Sequence, residues 1–121
     1  MVLTGLRVLV VEDEAMLSIL LEDFLSDLGC EVVATASHLE DAVEKARNLA
    51  IDVAVLDINL GGQLSYPVAE ALRSRAIPFL FATGYGTLGL PEELLGTLVL
   101  SKPFNQRQLA TAIRSTQIGH A

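Results

Sequence analysis

Only one of the 121 residues is cysteine, only eight are Lys or Arg against fifteen Asp and Glu, and repeats and low-complexity stretches are missing. A single Cys30 cannot form an internal disulfide, and it reads as a small buried hydrophobe rather than a nucleophile. The few basic residues are scattered, which excludes the patches a nucleic-acid binder needs for backbone phosphates. No apolar run approaches the ~18 residues of a membrane span, and a net charge of −7 disfavours anionic membrane surfaces. The N-terminus runs from Arg7 through Val11 straight into Glu12, Asp13 and Glu14, without the basic flank and small-residue cleavage site of a signal peptide. A reducing cytoplasm is the expected setting.

What is present is apolar: 51% of residues are hydrophobic, enough for one domain with its own core over residues 1–121 and no output domain. The acidic balance suits a protein that gathers divalent cations or meets a basic partner, and equally a merely soluble acidic domain.

The clearest stretch is Ile51 to Asn59. Val53, Ala54, Val55 and Leu56 run without a polar break, as in a strand buried on both faces of a parallel sheet, and the run ends on Asp57. Four similar strands flank it: Arg7–Val11, Cys30–Ala36, Pro78–Thr83 and Leu98–Ser101. Between them, Leu17, Leu20, Leu21, Phe24, Leu25 and Leu28 recur at helical spacing before Gly29. Ser37 to Glu40 has capping-box spacing ahead of Leu39, Ala42, Val43 and Ala46. Leu60 to Gln63 reads as loop, and Ser65 precedes a helix with Pro67 near its start, lasting to about Arg75. Pro91–Leu95 is the only helical stretch between Gly86 and Gly96, so a short or mobile fourth helix is expected. Asn105 caps a last helix.

Strands alternating with helices imply right-handed crossovers and a doubly wound α/β fold. The expected sheet is flavodoxin-like, five-stranded and parallel, in order 2-1-3-4-5, with helices on both faces. That order sets the ends of the first and third strands side by side at the topological switch point, where Glu12, Asp13 and Asp57 converge. Three carboxylates held that close need compensation, and an all-oxygen set fits Mg²⁺, with Mn²⁺ as its substitute. The backbone carbonyl of Asn59 could add a ligand. Thr83 after the fourth strand and Lys102 after the fifth supply a hydroxyl donor and a compact cation, each suited to a phosphoryl group that Asp57 would accept as nucleophile. Taken singly, Glu12 and Asp13 are helix-N-terminal acids, Thr83-Gly84 a turn, Lys102-Pro103 a loop opener and Asp57 a strand-end cap.

Together, Glu12-Asp13, Asp57 within VLDIN, Thr83 before a small residue and Lys102-Pro103-Phe104 resemble a response regulator receiver domain over about 6–116. The stretch Pro78 to Tyr85 further resembles the FATGUY subgroup of receivers. The resemblance implies Mg²⁺-dependent phosphotransfer from a histidine kinase to Asp57, slow hydrolysis, and a cis Lys102–Pro103 peptide. It also implies kinase docking on the first and last helices. The output would be an unknown downstream protein bound on phosphorylation, by a monomer or a phosphorylation-dependent dimer; the alternative is a phosphate sink draining a shared kinase. Ordinary receivers carry an aromatic switch residue three positions before the lysine, where this chain has Val99. The expected relay is therefore Thr83 acting through Tyr85 and the Gly86–Gly96 segment.

Two enzymatic or cofactor-binding rivals conflict with single positions, and a third reading leaves the acid site vestigial. A haloacid-dehalogenase-type phosphatase needs a second aspartate two residues after the first, where Asn59 offers an amide that cannot carry the proton. A flavodoxin-like flavin or nucleotide binder should present N–H groups and hydroxyls to phosphate after the first strand, where Glu12, Asp13 and Glu14 would repel it. The vestigial module has no use for the intact set of acids with Thr83 and Lys102.

Overall fold

The computed structural model describes residues 3–84 and 90–118. Among these residues seven strands and four α-helices follow in chain order: β1 (Arg7–Val11), α1 (Ala15–Asp27), β2 (Glu31–Ala36), α2 (Leu39–Asn48), β3 (Val53–Asp57), β4 (Asn59–Leu60), β5 (Gln63–Leu64), α3 (Tyr66–Ser74), β6 (Phe79–Thr83), β7 (Val99–Ser101) and α4 (Gln106–Ile118). The main sheet has the order β2-β1-β3-β6-β7, with every neighbouring pair parallel. With the short β4–β5 ribbon left uncounted, this is the expected 2-1-3-4-5.

Side-chain alternation along the strands divides the core in two. Leu9, Val11, Ala54, Leu56 and Phe81 face one side, covered by α2 and α3; Val8, Val10, Val53, Val55, Leu80 and Ala82 face the other, covered by α1 and α4. All four residues Val53 to Leu56 are fully buried. Phe81 anchors the first side, edge-on to Tyr66 and Phe79 at centroid distances of 6.2 and 5.7 Å.

Helix ends show how the local sequence acts. α1 closes with Cys30 N–H on Leu25 C=O and Gly29 N–H on Ser26 C=O, Gly29 sitting at φ +87°. This is the Schellman pattern, and glycine suits its left-handed position. α3 repeats it with Ile77 N–H on Leu72 C=O and Ala76 N–H on Arg73 C=O, but there an alanine is held at φ +57°. At the start of α4 the Asn105 side chain accepts from Gln108 N–H, and the Gln108 side chain accepts from Asn105 N–H, each at 2.8 Å.

Several expectations are corrected. The N-cap of α2 is His38 rather than Ser37 and makes no side-chain cap bond, so the capping box does not form; Ser37 Oγ lies 3.4 Å from His38 Nδ1 instead. Leu20 is 43% exposed, alongside Met16 at 81% and Ile19 at 55%, because the buried stripe of α1 is narrower than its leucine spacing. Residues Leu60 to Gln63 form the turn of an antiparallel ribbon rather than open loop. The stretch around Pro91–Leu95 is one 3-10 turn, Glu92–Leu94, held by buried Leu94, so four α-helices are present among the described residues.

Candidate functional site

Parallel pairing of β1 with β3, and of β3 with β6 and onward to β7, brings the C-terminal ends of four strands to one edge. Val11 pairs with Leu56, so the residues after β1 stand beside Asp57; Thr83 pairs with Ser101, so Lys102 follows directly. Glu12 is 3% exposed, Thr83 1%, and Asp57 has 12% of its side chain exposed. Asp13, Glu14, Asp57, Asn59, Gly61, Gly84 and Lys102 line an open cleft of ≈ 320 Å³.

Glu12, Asp13 and Asp57 each bring a carboxylate oxygen into a group whose members lie within 4.8 Å of one another. Lys102 Nζ bridges two of them, donating to Glu12 Oε1 at 2.8 Å and to Asp57 Oδ2 at 3.1 Å. One cation against three acids leaves the site anionic. An all-oxygen anionic donor set suits a hard divalent ion such as Mg²⁺ and offers nothing to a soft metal.

Burial sets the titration of this cluster. It pushes the Glu12 carboxyl up to about 7, against the opposing hydrogen bonds from Lys102 and from Glu14 N–H and with added repulsion from Asp57. Burial would lower the Lys102 ammonium, but its bonds to Glu12 and Asp57 outweigh burial and raise it, so it stays charged. Glu12 therefore sits where a proton, a lysine or a metal can each neutralise it.

The ribbon adds contacts that the residue pattern did not announce. Asn59 N–H donates to Asp57 Oδ1 at 3.3 Å, Gly62 N–H to Asn59 Oδ1 at 2.7 Å, and Gly61 N–H to Asp13 Oδ2 at 2.9 Å. Only the Gly-Gly pair between two short runs could have signalled this, as a two-residue hairpin turn. On the remaining edge, Thr83 C=O accepts from Lys102 N–H at 2.9 Å, and the Lys102–Pro103 peptide is cis. Val99 is half-buried and pairs with Phe81. Tyr85 lies outside the described residues, as does the start of the Gly86–Gly96 segment. No helix among the described residues is long and apolar enough to cross a membrane.

The sequence profile of the response regulator receiver domain matches residues 8–114. The solution structure of SdrG from Sphingomonas melonis Fr1 superposes with a TM-score of 0.82 at 39% identity, covering 97% of this chain and 99% of that one. A probable transcriptional regulator, ycf27 of Pyropia yezoensis, is 33% identical over 115 residues, which is 90% of this chain and 46% of that protein. The protein-glutamate methylesterase/protein-glutamine glutaminase of Archaeoglobus fulgidus is 49% identical over 55 residues, 46% of this chain and 16% of its own length. The chain thus spans less than half the length of these two curated relatives.

Proposed function

The chain belongs to the response regulator receiver family of two-component signalling, and from that premise we propose that it is a phosphoacceptor that takes a phosphoryl group onto Asp57 from a histidine kinase. The observation that carries this reading is the position of Asp57: its carboxylate ends a central strand, opens onto the cleft, and is met by Lys102 at 3.1 Å and by two further acids. An Asp57 oxygen attacks the phosphorus of a phosphohistidine, the P–N bond breaks with its electron pair on the imidazole nitrogen, and an aspartyl phosphate remains. Lys102 pairs with the transferred oxygens, and Thr83 donates its hydroxyl to one of them.

Glu12, Asp13, Asp57 and the Asn59 carbonyl would hold Mg²⁺, or Mn²⁺ in its place. When bound, the ion supplies neutralisation of the acids and of the incoming phosphoryl charge. Water later displaces the carboxylate at phosphorus and returns the free acid, so the only chemistry assigned is the domain's own phosphorylation and dephosphorylation. The setting is the cytoplasm, within one receiver domain over 1–121.

Kinase docking is assigned to α1 and the segment leading into α4. Leu17, Leu20, Phe24, Pro103 and Phe104 line an apolar groove there, and Met16 and Ile19 are exposed on the same helix α1. The phosphatase reading has no support at Asn59, whose side-chain oxygen is bound by Gly62 N–H and whose amide does not titrate and so cannot serve as general acid or base. Signalling proceeds through a phosphorylation-dependent protein contact, by monomer or induced dimer, with Thr83, Tyr85 and the residues up to Gly96 as the relay; a phosphate sink is the second role the same chemistry serves.

The test is incubation with acetyl phosphate and Mg²⁺, followed by intact-mass measurement of wild type and Asp57→Asn. One added phosphoryl group is expected in the wild type and none in the variant. Equal labelling of the two would remove Asp57 as acceptor, and steady release of phosphate from external phosphomonoesters would favour the phosphatase.

A further inference from the structure

The residues just after β3 fold back on themselves. Asn59 pairs with Leu64 and Leu60 with Gln63, while Ser65 N–H closes the base of the ribbon on Ile58 C=O at 2.8 Å. Its two-residue turn, Gly61 and Gly62, has φ of +58° and +95°, the double positive φ of a type I′ hairpin. Such a turn closes between the residues that flank it, so the N–H groups of both central residues are left outside the ladder. Here neither is idle: Gly62 N–H goes to Asn59 Oδ1, and Gly61 N–H crosses to Asp13 Oδ2, 48 residues away in the chain.

The second contact carries a consequence for the acid cluster. Asp13 is its exposed member and follows β1 with no strand pairing to hold it. A carboxylate in that position has free torsions, and its ordering opposes ion binding. One oxygen fixed by a backbone N–H leaves the other lone pairs directed and the residue oriented, which is the part outer-shell donors play for metal-binding carboxylates.

We propose that the backbone N–H of Gly61 is a positioning group for Asp13, so that cation affinity at the acid cluster depends on the register and order of the β4–β5 ribbon. This rests on the reading of the cluster as a cation site. The ribbon touches both Asp13 and Asp57 through its backbone, so occupancy of the cluster and the pose of the ribbon's exposed Leu64 are linked.

The test removes one hydrogen. Glycolic acid built in place of Gly61 turns the amide into an ester, keeping the turn's φ and ψ while deleting the donor; the control is glycolic acid in place of Gly62, the same amide-to-ester change one residue on, where the lost donor serves Asn59 Oδ1 and not Asp13. Mg²⁺ affinity is read from amide chemical shifts during a titration, which also reports that each protein is folded. The Gly61 ester is expected to bind Mg²⁺ about ten-fold more weakly, and the Gly62 control to lose clearly less; equal losses in the two would assign the effect to the ester itself and overturn the positioning role. Wild-type affinity in the Gly61 ester would overturn the positioning role while leaving the cation site standing. A wild-type protein whose Asp13 and Asp57 resonances ignore Mg²⁺ would overturn the cation site and this inference with it.

Discussion

Glu12 offers the most quantitative check on the site. Its side chain is 1% exposed, and its carboxyl is pushed from 4.5 to about 7. In the unfolded chain it ionises near the ordinary value. Between the two values the native protein therefore holds a proton that the unfolded chain has released, and stability must fall as pH rises through that window. Each unit is worth about 1.4 kcal/mol, so the full displacement corresponds to about 3 kcal/mol lost between roughly pH 4.5 and 7. Glu12→Gln removes the titration while keeping an oxygen for Lys102; losing the acceptor for Glu14 N–H adds a constant cost of about 1 kcal/mol. Urea unfolding followed by far-UV circular dichroism, metal-free, at pH 5 and pH 7.5 gives the comparison. Other carboxylates contribute their own slopes, among them Asp52, lowered chiefly by its hydrogen bond with Arg7, so the difference between the two proteins is the readout. Wild type is expected to lose about 2 kcal/mol more than Glu12→Gln over that interval, the rest of the displacement falling below pH 5, and Mg²⁺ should shrink the gap by stabilising the ionised cluster. Parallel pH profiles for the two proteins would refute the placement of that proton on Glu12.

Further outcomes follow from the helix ends. Ala76→Gly should stabilise by about 1 kcal/mol, because the left-handed backbone at φ +57° is already built and glycine occupies it without the Cβ penalty. Gly29→Ala should destabilise by more than that, since its Cβ would meet Thr4 Oγ1 at 2.9 Å and the Thr4 backbone at 3.2 Å; urea midpoints of the pair moving in the same direction would contradict this. Asn105→Ala should cost about 1 kcal/mol through the loss of the reciprocal cap on α4, read by thermal unfolding.

How much of this was legible before the structure depends on the kind of signal. Buried strands announce themselves, because a residue such as Val55 between Ala54 and Leu56 has no polar neighbour to suggest an exposed face, and the alternation with helices then leaves few topologies. The site followed from topology: Glu12, Asp57, Thr83 and Lys102 are far apart in sequence, but each ends a strand or directly follows one. Features that depend on one hydrogen bond were not legible. Ser37 has the spacing of a cap, yet the backbone enters α2 one residue later. The ribbon has strands of only two residues each, too short for any periodicity, so Gly61 read as loop although its N–H reaches Asp13. Ala76 shows the limit from the other side, since nothing in an alanine signals the left-handed backbone at the point where Ile77 N–H closes on Leu72 C=O.

The relay is where sequence and site part. Val99 stands beside Phe81, whose ring is locked edge-on between Tyr66 and Phe79 and fully buried. That leaves no aromatic ring on β7 to swing, and it directs attention to the segment after Thr83 and to the ribbon.

The central claim is that Asp57 itself carries the phosphoryl group. Borohydride reduces an acyl phosphate to the alcohol, so treatment of the protein after exposure to acetyl phosphate and Mg²⁺ converts the modified aspartate to homoserine, which peptide mass spectrometry can locate. The expected result is homoserine at position 57 and at no other acid. Homoserine at Asp13, 5-hydroxynorvaline (the alcohol from a glutamyl phosphate) at Glu12, or no conversion in a protein that has demonstrably bound Mg²⁺, would contradict it.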